Sequence, residues 1–110
     1  MKKIFLMIFG LFIVSTFAFQ GKNMNKQTII FLHGGPGFTD YLKPYLFDLN
    51  KDFNCIFYDQ SRGEKIVVKD LLIELDSIVS KESKPILLGH SWGGVLAVEY
   101  AKNNMSKIGG

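Results

Sequence analysis

From residue 28 onward, short apolar runs alternate with stretches of helical periodicity. Thr28-Ile29-Ile30-Phe31-Leu32 is continuous enough to predict a strand buried on both faces. Residues 41–49 set Tyr41, Leu42, Tyr45, Leu46 and Leu49 on one side of an amphipathic helix. Thr39 or Asp40 would be its N-cap, with Pro44 in the first turn, where a missing N–H costs nothing. Ile56-Phe57-Tyr58 predicts a second strand. Residues 67–79 bring Val68, Leu71, Leu72, Leu75, Ile78 and Val79 to one face, opposite Lys69, Asp70, Glu74 and Asp76. A polar turn over 80–84 leads to Pro85, a third strand at Ile86-Leu87-Leu88, and a last helix over 92–103. The order β-α-β-α-β-α predicts the α/β class: a three-stranded parallel sheet with helices on both faces.

The N-terminus follows a different pattern. Met1-Lys2-Lys3 is basic, residues 4–14 are apolar, and Ser15-Thr16-Phe17-Ala18 puts small residues where a processing enzyme needs them. That predicts a signal peptide over residues 1–18 and a polar linker over 19–27, with residues 28–110 as one small domain. The protein is then expected to be secreted or periplasmic. A retained membrane anchor is the rival, but the uncharged run 4–19 is 16 residues, short of the ~20 that span a bilayer.

Charge changes the picture once the leader is set aside. Loss of residues 1–18 takes Lys2 and Lys3 and no acid, so the net charge drops from +3 to +1. No cluster of basic residues interleaved with aromatics remains, and nucleic-acid binding has no support. The single cysteine, Cys55, has no internal partner and reads as a small core residue.

The chemistry concentrates at strand ends. Gly89-His90-Ser91-Trp92-Gly93 lies between the third strand and the last helix. A G-x-S-x-G there allows a turn tight enough to lift the Ser91 hydroxyl above the sheet, and the helix N-terminus aims free N–H groups at whatever binds. His33-Gly34-Gly35-Pro36-Gly37 follows the first strand, and its small, rigid residues let the backbone approach a ligand. Alone, that segment is a Gly-Pro turn with a structural histidine.

Taken in order, HGGPG at 33–37, Tyr58-Asp59-Gln60 with Arg62-Gly63, and GHSWGG at 89–94 resemble the α/β-hydrolase family, in its proline-iminopeptidase-like branch. The resemblance covers residues 28–104. It implies the N-terminal part of an α/β-hydrolase fold, with the first strand between the other two. The helix over 41–49 would then lie on one face and the other two helices on the opposite face. The HGGPG loop and the elbow would sit side by side at the strands' carboxyl ends, where open α/β sheets bind ligands.

It implies a serine hydrolase acting on a peptide, ester or amide through Ser91, without metal or organic cofactor. The oxyanion donors would be the Trp92 N–H and a second N–H, Gly35 first and Gly34 second. His33 and His90 would be structural. The family's contiguous Asp-Gln-Arg-Gly is interrupted here by Ser61, and Arg62 with Glu64 reads as a solvated charge pair.

The family's triad runs Ser, then acid, then His, and after Ser91 this chain offers Glu99 and no histidine. Triad acid and base are therefore unassigned. The chain is expected to be an incomplete hydrolase, with Lys107-Ile108 approaching a further strand and a C-terminal half on a continuation or partner chain. The alternatives are a non-catalytic remnant and a small exported binding module that uses the HGGPG crevice without chemistry.

Overall fold

A computed structural model describes residues 22–110. The predicted signal peptide and the start of the linker lie outside those residues. Strand β1 (Thr28–Leu32) runs parallel to β2 (Asn54–Phe57) on one side and to β3 (Ile86–Gly89) on the other, giving the order β2-β1-β3. Thr28 pairs with Asn54 in one register and Leu32 with Gly89 in the other. Every residue of β1 is buried, as its unbroken apolar run requires for a central strand covered on both faces.

Alternation along β1 divides the core in two. Ile30 and Leu32 pack with Leu71, Leu75 and Val79 of α2 (Val68–Val79) and with Leu96 and Tyr100 of α3 (Trp92–Ala101). Ile29 and Phe31 face the opposite way, onto Leu42 and the half-buried Tyr41, Leu46 and Leu49. Both face assignments match the expectation from sequence. Full burial of each large aliphatic side chain contributes roughly 1.5–3 kcal/mol.

Two elements differ from the periodicity. The helix over 41–49 is a single α-turn, α1 (Lys43–Leu46), continued by a 3-10 helix (Phe47–Lys51). Pro44 occupies its first turn, and the Asp40 carboxylate accepts the N–H groups of Leu42 and Lys43 at 3.1 and 3.3 Å. Tyr41 therefore precedes the helix. In α2 the face is as expected except for Val68, which is 44% exposed. It sits in the first turn, beside an open cleft instead of the sheet. The Asp70 carboxylate accepts the Val67 N–H at that end, at 3.0 Å.

Beyond α3 a 3-10 turn (Met105–Lys107) brings the chain alongside β3. Gly109 N–H donates to the Pro85 carbonyl at 2.9 Å, and Leu87 N–H donates to the Gly110 carbonyl at 2.8 Å. Cys55 is half-buried against the α1 face, and burial raises its thiol pKa, against the opposing charge of Lys26. No helix among the described residues is long and apolar enough to cross a membrane.

Candidate active site

Ser91 joins β3 to α3 with φ 57° and ψ −122°. That backbone region is costly for a residue with a Cβ, on the order of 1–3 kcal/mol. Tertiary contacts hold it there. His90 N–H donates to the Leu32 carbonyl at 3.0 Å, and Gly93 N–H returns to the His90 carbonyl at 2.9 Å. The turn also needs close approach of α3 to β1: a side chain at Gly93 would run into the Leu32 carbonyl and stand 2.8 Å from that of His33. The result is an exposed Ser91 above the sheet, beside the Trp92 N–H, which has no partner among the described residues.

The HGGPG loop lies against this turn. A methyl group at Gly34 would stand 3.1 Å from Ser91 Cβ and 3.2 Å from the His90 carbonyl oxygen. His33 is fully buried, and its ring organises the loop. Nε2 accepts the Gln60 N–H at 3.0 Å, so the proton is on Nδ1, which donates to the Gly34 carbonyl at 2.9 Å. Gly35, at φ +60°, is in the left-handed region that suits glycine. Its N–H has no partner among the described residues. The Gly34 N–H is already engaged, donating to the Tyr41 hydroxyl at 2.9 Å.

The segment after β2 does more than the interrupted Asp-Gln-Arg-Gly pattern suggested. Gln60 is 2% exposed. Its side-chain amide donates to the His33 carbonyl at 2.8 Å and accepts the Trp92 indole N–H at 3.0 Å, so one residue ties loop to elbow. Asp59 accepts the Asp40 N–H at 2.6 Å. Ser61, the interrupting residue, is bound through its hydroxyl and N–H to the two Glu74 carboxylate oxygens at 2.6 and 3.0 Å. Arg62 and Glu64 are both exposed, and no ion pair joins them among the described residues, contrary to the charge-pair reading. Their positions flank an exposed turn, where solvent competes with pairing.

A cavity of about 500 Å³ opens on this side, bounded by Pro36, Gly37, Arg62, Val67, Val68 and Trp92. Both histidine rings are engaged in other hydrogen bonds: His33 is buried in the loop, and His90 Nδ1 lies 2.7 Å from the Tyr41 hydroxyl. Glu99 is a surface residue paired with Lys102 at 3.0 Å. Tyr41 and the Gln60 side chain are the site residues that sequence reasoning missed. Gln60 stood inside a quoted motif, but Tyr41 had the signature of an ordinary core aromatic.

The Alpha/beta hydrolase family profile matches residues 29–109. A proline iminopeptidase of Saccharolobus solfataricus is 40% identical over 108 residues, covering 86% of this chain and 34% of the relative. A proline iminopeptidase of Thermoplasma volcanium is 33% identical, covering 77% and 33%. The probable aminopeptidase YbaC of Bacillus subtilis is 29% identical, covering 72% and 30%. The chain thus spans about a third of the length of the curated relatives it matches. No solved structure matches it significantly. The profile runs from the central strand through the serine turn, the stretch whose parallel strands and turn geometry are described above, and on it this chain belongs to the α/β hydrolase family, among its proline-iminopeptidase-like members.

Proposed function

We propose that Ser91 is the nucleophile of an acyl-transfer reaction on a peptide, amide or ester. The observation that carries this is its positive φ on the strand-to-helix turn, with the Trp92 and Gly35 N–H groups unpartnered among the described residues. In the reaction, Ser91 Oγ bonds to the substrate carbonyl carbon while its proton passes to a base. The carbonyl oxygen takes up the electron pair of the broken π bond and accepts from Trp92 and Gly35 N–H. Each such donor typically contributes a few kcal/mol to the transition state. The oxyanion's electron pair then re-forms the carbonyl and breaks the bond to the leaving amine or alcohol, which takes the proton from the base. Water, giving its proton to the same base, repeats the addition and collapse on the acyl-enzyme, and Ser91 Oγ leaves with that proton. The roles need no metal or organic cofactor.

The acid and the base come, on this proposal, from a further segment of the protein or a partner chain. Supporting it, α3 is apolar on nearly all sides, a pattern typical of a helix covered all round, yet Val95 and Val98 are 56% and 65% exposed. N-terminal-proline peptides are the first substrates to test, because two of the relatives that this chain resembles are proline iminopeptidases. We further propose that residues 1–18 are removed on export. N-terminal sequencing of the secreted protein is expected to start near Phe19, and a mature chain that begins at Met1 would refute it.

The protein as its native cell makes it should hydrolyse aminoacyl p-nitroanilides, proline included, and Ser91→Ala should abolish turnover. Undiminished turnover in Ser91→Ala would overturn the assignment. A second reading, a non-catalytic member that binds ligands in the crevice, is favoured by the hydrogen bonds of both histidines to the Gly34 carbonyl and the Tyr41 hydroxyl. It expects ligand binding with no turnover by either protein.

A further inference from the structure

We infer that Tyr41 is a positioning residue of the oxyanion site, its hydroxyl clamping the HGGPG loop to the serine turn so that the Gly35 N–H faces the reacting carbonyl. This rests on the reading of Ser91 as nucleophile. Two consecutive peptide groups carry the argument. The His33–Gly34 peptide is held at both ends: its carbonyl accepts from the Gln60 side chain at 2.8 Å, and its N–H donates to the Tyr41 hydroxyl at 2.9 Å. The Gly34–Gly35 peptide is held at its carbonyl by His33 Nδ1, at 2.9 Å. It is trans, so its N–H points the opposite way and stays open to an incoming oxygen.

Tyr41 fixes the first of these planes, and through it the second. Its oxygen accepts the Gly34 N–H and also bonds His90 Nδ1, 2.7 Å away, as donor or acceptor according to the His90 tautomer. The two rings meet edge to face, 5.7 Å apart at 88°. His90 is the neighbour of Ser91. One phenol therefore links the loop that carries one donor to the turn that carries the nucleophile and the other donor. Removing the hydroxyl frees the His33–Gly34 plane to rotate, and the Gly34 N–H would then compete with that of Gly35. The ring itself packs against the α1 face of the sheet and would stay in place.

The test is steady-state hydrolysis by the natively produced protein, with Tyr41→Phe, His90→Leu, His90→Asn and Ser91→Ala compared. Tyr41→Phe is expected to lower kcat by about ten- to a hundredfold, the scale of a misplaced donor, with KM unchanged within about twofold. His90→Leu should give a similar loss of kcat. His90→Asn should recover most of it, since its side-chain amide can accept or donate where Nδ1 does. If Tyr41→Phe fails to fold, the two His90 variants read the same link. If Ser91→Ala abolishes turnover while Tyr41→Phe keeps full kcat, or both His90 variants behave alike, the clamp is refuted and the nucleophile stands. If Ser91→Ala keeps turnover, the nucleophile falls and this inference falls with it.

Discussion

Gly93 and Gly94 are adjacent in α3, yet substitution by alanine is expected to act in opposite directions at the two positions. A Cβ at Gly93 would run into the Leu32 carbonyl oxygen and stand 2.5 Å from its carbon, with the His33 carbonyl oxygen at 2.8 Å. Ordinary contacts between such atoms are roughly 3.5–4 Å, so α3 must retreat from β1 by about 1.5–2 Å. All three obstacles are backbone atoms and none can swing aside. Overpacking of this kind costs about 1–3 kcal/mol. At Gly94 the nearest atoms are the Gly89 carbonyl oxygen at 3.6 Å and its carbon at 3.9 Å, ordinary contact. There the methyl group meets no obstacle, and the helix gains about 0.4–1 kcal/mol from a less flexible unfolded chain. Urea unfolding, followed by circular dichroism, measures both. With a slope of roughly 1–3 kcal/mol per molar, Gly93→Ala should lower the midpoint by about 1 M and Gly94→Ala should raise it slightly. Equal effects at the two positions, or a Gly93→Ala protein as stable as the parent, would refute the close helix–strand approach on which the serine turn depends.

Two other outcomes follow from buried and paired groups. Gln60→Leu keeps the volume but strips partners from the Trp92 indole and the His33 carbonyl; it should cost about 1–3 kcal/mol by urea unfolding, and an unchanged midpoint would contradict the tie. The Asp76 carboxyl is held below its ordinary pKa, first by the Tyr100 hydroxyl at 2.6 Å and then by Lys107 at 3.0 Å. Because its folded pKa lies below the unfolded one, its contribution is complete above about pH 4 and is lost as pH falls through the folded value. Asp76→Asn should therefore flatten the acid limb of stability below about pH 4; a parent and variant with the same pH dependence there would dismiss the effect.

Strand order was legible only through the family resemblance, but strand identity and a sheet with helices on both faces were legible because β1 is a continuous apolar run and α2 keeps one apolar face over three turns. Periodicity sees burial, and burial decides those features. It also sees Tyr41 and Leu42 as equivalent, since both belong to the apolar side of one stretch. Only the fold separates them: Leu42 goes into the core, while the Tyr41 hydroxyl reaches Gly34 and His90, 7 and 49 residues away. Gln60 was hidden for a related reason, because a glutamine next to charged loop residues carries no sign that the fold buries it. The break of α1 into a 3-10 turn escaped as well, since the spacing of Tyr45, Leu46 and Leu49 fits an unbroken helix.

The central claim is that Ser91 is an activated nucleophile. It is tested most directly by treating the natively produced protein with a fluorophosphonate and mapping the adduct by peptide mass, beside Ser91→Ala. The account predicts an adduct on the peptide that contains Ser91, absent from the variant. No adduct on Ser91, in a preparation where a known serine hydrolase labels normally, would contradict it and leave a member of the family that binds without reacting.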